Sequence, residues 1–417
     1  MKRTGVFLLV LLLAGCSSTP SASLSPTVLG PTIAPIGSGT AAATLEVTVA
    51  PTLSPSPTAT AKLTPVPTPI ATPHATPVPT PGQTPTPSGP TAAQLIGQKL
   101  MVSMAGTTPS ADLLGRIRRG EVGGVILFGA NISTPAQVAA LTAKLRAAAA
   151  AGGQPRLLIS TDQEGGSVKR IPWAPPTLSP AQMVATGSSS VALDQGKRTG
   201  IALKALGINL DLAPVADVPA STSSFMYQQG RTWSFSATTT TIYSNAFTTG
   251  LRQGAELPSM KHFPGIGYAV LNTDSHPVTI GASAAALAPG LRPYRTAIAN
   301  GIPMIMLSNA TYTAYDSANA AGWSHAIGTT LLRQNLGFRG VTITDSLTGT
   351  AVSRGVSQTY LSLRAARAGT DMILVTGSEA STRAVYSALL AAAQGGSIAR
   401  ATLLASYNRI IALKARL

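Results

Sequence analysis

The sequence predicts an α/β protein built as a single (β/α)8 TIM barrel, preceded by a lipoprotein signal peptide and a disordered Pro/Thr/Ser-rich linker. Three observations lead there. Seventeen of the 32 prolines lie between Ser17 and Pro90, a window with only two charged residues, Glu46 and Lys62, and no Phe, Tyr or Trp. Such a stretch cannot bury enough apolar surface to offset the entropy of folding. Beyond it, short apolar runs alternate with longer Ala- and Leu-rich stretches, eight times over. Near-continuous apolar strands separated by helices imply a parallel sheet covered on its outside, and eight such units imply closure into a barrel. A doubly wound open sheet competes, but no Gly-rich phosphate loop follows any of the strands.

Residues 1–15 read as the signal peptide: Lys2 and Arg3 precede an apolar run from Val6 to Ala14 that is too short to span a bilayer. The run ends in Leu13-Ala14-Gly15-Cys16 and is followed by Ser17-Ser18, which resembles a bacterial lipobox. Cys16 is the single cysteine of the chain, so the sequence allows no internal disulfide and no cysteine metal site. The expectation is a lipidated Cys16 and an extracytoplasmic location at a bacterial cell membrane. Residues 16–91 carry repeated steps such as Thr64-Pro65-Val66-Pro67-Thr68-Pro69, which favour an extended, polyproline-like spacer.

The net charge is +16 although only 11% of residues are charged. Setting aside Lys2, Arg3, Lys62 and Glu46, the remainder keeps 27 basic against 13 acidic residues. That surface favours anionic surroundings. The basic residues are nevertheless scattered, with no dense run and no interleaved aromatics, which argues against a nucleic-acid partner.

In residues 92–417 the strand candidates are Leu100 to Met104, Gly124 to Phe128, Leu157 to Thr161, Leu210 to Val215, Ser259 to His262, Met304 to Ser308, Val341 to Thr344 and Met372 to Val375. Helical periodicity covers Ala111 to Arg119, Pro135 to Ala150, Ala192 to Ala205, Thr240 to Gln253, Ala284 to Ala299, Thr330 to Leu336, Gln358 to Ala368 and Ser381 to Ala393. Ala401 to Leu417 closes the chain as a further helix.

In a barrel of this kind, chemistry gathers at the C-terminal ends of the strands. Strand three ends in Asp162-Gln163-Glu164, strand four in Asp217 and strand five in Lys261-His262, followed by a loop carrying Asp274-Ser275-His276. Strand six ends in Asn309 and strand seven in Asp345. Asp345 at such a strand end can serve as a nucleophile or simply cap the following helix. Asp274 and His276, two residues apart, can form a carboxylate–imidazole pair suited to proton transfer, or be an incidental surface pair.

The segments Asp162 to Arg170, Leu212-Ala213-Pro214-Val215-Ala216-Asp217-Val218, Lys261-His262-Phe263-Pro264-Gly265-Ile266-Gly267 through His276, and Thr344-Asp345-Ser346-Leu347 occur in this order. Jointly they resemble glycoside hydrolase family 3, and specifically its single-domain β-N-acetylhexosaminidase branch, over nearly all of Ala92 to Leu417. The resemblance implies a retaining, exo-acting enzyme that releases terminal N-acetylglucosamine from cell-wall or chitin-type glycans. It implies Asp345 as nucleophile and His276, oriented by Asp274, as general acid/base. It also implies that Asp162, Arg170, Lys261 and His262 contact sugar hydroxyls, together with Arg231. The family's two-step chemistry runs through a covalent glycosyl-enzyme, with histidine in place of the usual second carboxylate.

That chemistry calls for no metal and no cofactor, and nothing in the chain demands more than a monomer. Transfer to phosphate stays open as a second step, because an imidazole repels an anionic acceptor less than a carboxylate does. Two other classes remain as alternatives: a lipid-anchored glycan-binding protein without turnover, and a metal-dependent hydrolase using His262, Asp274 and His276. Departures from the family pattern include Ile266 in the Pro-Gly-x-Gly turn and the untypical segment from Arg231 to Thr241. Within it Trp233 reads equally as core aromatic and as sugar platform. Glu164 reads as framework, and Asp371, before strand eight, as a structural residue at the opposite end of the barrel.

Overall fold

The computed structural model describes residues 89–417, so the signal peptide, Cys16 and almost all of the linker lie outside the described residues. Eight parallel strands form one sheet: β1 (Leu100–Ser103), β2 (Gly124–Ile126), β3 (Leu158–Thr161), β4 (Leu210–Asp211), β5 (Leu257–Phe263), β6 (Met304–Leu307), β7 (Val341–Thr344) and β8 (Ile373–Val375). Their spatial order is β7-β6-β5-β4-β3-β2-β1-β8. The sheet closes on itself through a parallel bridge between Ile343 and Met372, with Met372 N donating to Thr342 O at 2.8 Å and Thr344 N to Met372 O at 3.1 Å. Alternation of helix and strand thus yields the expected (β/α)8 barrel.

Side chains from alternate strand positions fill the interior: Met101, Ile126, Leu158, Leu210, Leu212, Met304, Met306, Ile343, Met372 and Leu374 pack as one buried cluster. Their neighbours along the strands face outward into the layer between sheet and helices. The helices begin where short polar side chains satisfy free N–H groups. Ser110, Thr134, Ser236, Ser357 and Ser378 each accept from a backbone N–H of the first turn. Helices Ser189–Ala205 and Ala237–Gln253 lie backbone against backbone, because Gly196 and Gly250 carry no side chain. A Cβ at Gly196 would fall 2.3 Å from Phe247 O, and one at Gly250 would fall 2.1 Å from Leu193 O.

Several expected boundaries shift for identifiable reasons. The fourth strand is regular only over Leu210–Asp211, because Pro214 has no N–H to extend the ladder and pairing resumes as a single bridge, Val215 to Lys261. The stretch Ala284 to Ala299 divides at Pro289-Gly290 into Ala284–Leu287, a 3-10 turn Ala288–Leu291 and Arg292–Ala299. The helix expected from Thr330 begins earlier and is a π-helix over Ala326–Asn335. Short strands the periodicity did not reveal, Gln163–Gly165 with Val168–Lys169, and Thr279–Ile280 with Thr311–Tyr312 and Asp316–Ala320, decorate the C-terminal mouth.

At the N-terminal end Asp371 is fully buried and accepts from Arg333 at 2.5 Å, from Arg409 at 2.8 Å and from Thr342 N at 2.9 Å. It is the structural aspartate that its place before β8 implied. Among the described residues no helix is long and apolar enough to cross a membrane.

Candidate active site

The strand ends deliver the polar residues to one mouth. Asp162 follows β3 directly, Lys261 and His262 lie in the last turn of pleat of β5, and Asp345 follows β7, its N–H donating to Leu307 O of β6 at 2.9 Å. Because the strands are parallel and closed, these side chains converge although they are far apart in sequence.

One side of the mouth is a buried ion network. Lys261 Nζ donates to Asp162 Oδ1 at 2.6 Å and lies 2.8 Å from Glu164 Oε1. Arg231 grips the same Glu164 with two bonds, Nε to Oε2 at 2.8 Å and Nη2 to Oε1 at 2.7 Å. Burial opposes the charge on Glu164, but Arg231 and Lys261 outweigh it and hold the carboxyl at about 2. Lys261 is likewise buried, and Asp162 and Glu164 raise its affinity for the proton. Glu164 and Lys261 therefore stay ionised at neutral pH, and Glu164, with both oxygens engaged, acts as the framework residue its sequence context implied. Arg170 completes this side, 3.9 Å from Asp162 and with its guanidinium 5.7 Å over the Phe128 ring.

The other side holds His262 and Asp345. His262 Nδ1 lies 2.7 Å from Asp217 Oδ2, and Nε2 points toward Asp345, 3.9 Å from its Oδ2. Asp217 is fully buried, and its Oδ1 accepts from the backbone N–H groups of His262 and Ile266 at 3.3 and 2.8 Å. Asp345 Oδ1 accepts from Ser346 N at 2.8 Å and does not cap the helix Leu347–Ser353, whose N-cap residue is Ser346, while Oδ2 remains turned to the mouth.

The loop between β5 and Thr279–Ile280 carries the two remaining candidates, and they part company. Asp274 turns inward. Its Oδ1 is buried without a hydrogen-bond partner, and burial together with the nearby charge of Asp345 pushes the carboxyl up to about 7. His276 is exposed, and the one side-chain hydrogen bond of its ring among the described residues is to Ser275 Oγ, at 3.0 Å. The structure therefore brings Asp274 to Asp345 and not to His276; the two-residue spacing permits the expected pair, but Asn272 folds the loop otherwise. Its side chain accepts from Asp274 N at 2.9 Å and its carbonyl from His276 N at 2.9 Å. The helix that follows Asp345, Leu347–Ser353, holds this arrangement. Thr350 Oγ1 donates to Thr273 O at 2.9 Å, and Gly349 faces Asp274 O.

Asp217 and Asn309 were legible as rim residues but not for what they do. Asn309 is buried beside Asp274, donates to Ser346 O at 2.9 Å and leaves its Oδ1 unpartnered. Trp233 proves to be core: it is buried against Tyr243 and Phe247, and its Nε1 donates to Val215 O at 2.8 Å. No cluster of three or more His, Cys, Asp or Glu side chains suited to a metal occurs among the described residues, so His262, Asp274 and His276 are not gathered into one.

A closed barrel whose C-terminal mouth joins a solvent-facing carboxylate to a rigid ring of hydrogen-bonding ions has the layout of a barrel glycosidase, in which charge develops on a sugar ring held by its hydroxyls. Residues 92–413 match the family model described as "Glycosyl hydrolase family 3 N terminal domain", and the chain belongs to that family. It is a glycoside hydrolase. An uncharacterized secreted glycosyl hydrolase of Arthroderma benhamiae is 35% identical over 77% of this chain and 92% of its own length. The crystal structure of a β-N-acetylhexosaminidase from Beutenbergia cavernae is similar at a TM-score of 0.73 and 30% identity, covering 79% of this chain and 99% of that one. A family 3 β-N-acetylglucosaminidase from Paenibacillus, at a TM-score of 0.74 and 31% identity, is matched over 79% of this chain but only 63% of its own, longer chain.

Proposed function

We propose that this chain is a retaining, exo-acting β-N-acetylhexosaminidase that hydrolyses terminal N-acetylglucosamine from cell-wall or chitin-type glycans, anchored outside a bacterial membrane through lipidated Cys16. The observation that carries the reading is the convergence of Asp345, His262, Lys261 and Asp162 from three separate strand ends on one mouth. Two similar solved structures bear the names of a β-N-acetylhexosaminidase and a β-N-acetylglucosaminidase, which supports the substrate class.

In this mechanism the Asp345 carboxylate attacks the anomeric carbon, giving a glycosyl-enzyme, while an acid protonates the departing oxygen. The same group then removes a proton from the incoming water. Lys261, Asp162, His262, Arg170 and Arg231 hold or brace the hydroxyl-binding side. His276 reaches the glycosidic oxygen only if the loop from Asn272 to Val278 swings inward, exchanging its contact with Ser275 for one with Asp274. A second reading is favoured by the inward-facing carboxyl of Asp274, with a pKa of about 7: Asp274 itself is the proton donor.

Release of nitrophenol from an aryl β-N-acetylglucosaminide separates these. Asp345→Ala abolishes turnover under either reading. With His276 as the acid/base, His276→Ala loses about a hundredfold or more on a poor leaving group and much less on an activated one. If Asp274 is the donor, that loss follows Asp274→Asn, and His276→Ala stays near the parent. Retention of configuration in the first-formed sugar checks the covalent step, and full activity in Asp345→Ala refutes the assignment.

A further inference from the structure

At the C-terminal mouth the short strand Thr311–Tyr312 meets both ends of the loop that carries Asp274 and His276. At the exit of the loop, Thr279–Ile280 pairs in parallel with it, Thr279 opposite Thr311 and Ile280 opposite Tyr312. Thr311 N donates to Val278 O at 3.0 Å and Thr313 N to Ile280 O at 3.2 Å. At the entrance, the Tyr312 hydroxyl donates to Gly265 O at 3.1 Å. The ring is fully buried and its single hydroxyl proton is committed to Gly265, so the Ser308 hydroxyl, 2.9 Å away, donates to Tyr312.

Gly265 O belongs to the peptide that joins Gly265 to Ile266, and the other edge of that peptide is also held. Ile266 N donates to Asp217 Oδ1 at 2.8 Å. Asp217 Oδ2 lies 2.7 Å from His262 Nδ1, and His262 Nε2 faces Asp345. One hydrogen-bonded line thus runs from the strand at the loop's exit, through the Tyr312 hydroxyl and a single peptide, to the imidazole beside Asp345. Gly265 has a φ of +119°, a conformation that favours glycine, so the chain turns at the very peptide that is held. Rotating this peptide breaks a buried hydrogen bond on one edge or the other, which is costly. Tyr294 offers a contrast nearby. It is equally buried, meets Phe263 edge-on with ring centres 5.1 Å apart, and its hydroxyl has no hydrogen-bond partner among the described residues.

We propose that Tyr312 is a positioning residue for glycoside cleavage: it clamps both ends of the loop that carries Asp274 and His276 and, through the Gly265–Ile266 peptide, keeps Asp217 and His262 in register with Asp345. Its kinetic consequence rests on the reading of the mouth as a hexosaminidase site, whereas the clamp does not depend on which sugar is cleaved.

The test compares the full chain with Tyr312→Phe, which keeps the ring and removes the hydroxyl, and with Tyr294→Phe, which removes a hydroxyl that makes no bond. Amide hydrogen exchange followed by mass spectrometry reads the loop, and release of nitrophenol from an aryl β-N-acetylglucosaminide reads turnover, both well below the unfolding transition. Tyr312→Phe speeds exchange in peptides covering residues 265–278 by about fivefold to tenfold, while peptides of β1 and β2 keep the parent's rate. In the same variant kcat falls by roughly fivefold to tenfold with KM near the parent's. Ser308→Ala, which leaves the bond from Tyr312 to Gly265 in place, gives a smaller change in the same direction and carries the comparison should Tyr312→Phe fail to fold. Tyr294→Phe stays at the parent's exchange rate and kcat. A loop no faster to exchange, faster exchange with an unchanged kcat, uniform speeding across the barrel, or an equal effect of Tyr294→Phe overturns the assignment. If the parent itself releases no nitrophenol, the hexosaminidase reading fails, and loop exchange alone decides the clamp.

Discussion

His262 Nε2 stands 3.9 Å from Oδ2 of Asp345, and the same ring is anchored from behind by Asp217, 2.7 Å from Nδ1. A buried carboxylate at Nδ1 favours the tautomer protonated there and leaves Nε2 facing the mouth. Asp217 thereby sets both the orientation and the tautomer of a residue that neighbours the proposed nucleophile, without itself reaching the substrate side.

Asp217→Asn tests that positioning role. The amide can accept from the backbone of Ile266 and His262, but its NH2 faces the Nδ1–H, so the ring must switch tautomer or turn. A mispaired buried polar group costs about 1–3 kcal/mol. If that cost is felt in the transition state, kcat/KM falls by roughly tenfold to a hundredfold. The fall should lie mainly in kcat, and the pH–rate profile should shift. A variant with lowered thermal stability but the parent's profile would make Asp217 merely structural.

Asp371→Asn makes the opposite case. The aspartate is wholly buried at the N-terminal end, between Arg333 and Arg409 and the N–H of Thr342. Removing its charge leaves two guanidinium groups facing a neutral amide. Breaking a buried ion pair by deleting one partner costs about 3–5 kcal/mol. Chemical denaturation should show that loss, while kcat and KM below the unfolding transition remain those of the parent.

The contrast between these two aspartates explains what the sequence made legible. Each follows or precedes an apolar strand, and in a parallel barrel position relative to the strand decides which mouth a side chain occupies. Asp162, Lys261, His262 and Asp345 could therefore be placed by periodicity and the barrel rule. The partner choices could not. That Arg231 pairs with Glu164, or that Asp274 turns from His276 toward Asp345, depends on side-chain directions in irregular loops, where no period constrains the chain. Trp233 was equivocal for the same reason, since its loop gave no pattern to say which way it faces. Two of the boundaries that moved are those where Pro214 and Pro289 removed an N–H from an otherwise regular run.

Gly349 tests the coupling between Asp345 and the loop that carries Asp274. It sits in Leu347–Ser353, the helix that follows Asp345, and a Cβ there would lie 2.6 Å from the Asp274 carbonyl. Gly349→Ala has to push the Asn272–Val278 loop outward, because both atoms in conflict belong to, or are fixed to, backbone. The strained contact also opposes the buried bond from Thr350 to Thr273. Expected is a drop in kcat of about tenfold with an unchanged circular dichroism spectrum. Thr350→Ser, which keeps the hydroxyl, should stay near the parent, whereas Thr350→Val should move in the direction of Gly349→Ala. Parent-level kcat in Gly349→Ala would show that the loop's position does not matter to the rate.

Asp274 makes stability depend on pH in a defined window. Burial and the charge of Asp345 raise its carboxyl from an ordinary 3.8 to about 7, while His262 and Arg231 pull the other way without cancelling the rise. Below about pH 4 the group is protonated in folded and unfolded chains alike and contributes no difference. Between there and about 7 the folded chain binds the proton more tightly, so stability falls as pH rises, and above 7 the penalty is fully present. Asp274→Asn removes this term. Its denaturation midpoint should match the parent's near pH 4 and exceed it at pH 8, with the gap opening across the interval between. A constant gap at all pH values, or one that widens toward acid, would mean that Asp274 is not the proton-binding group next to Asp345.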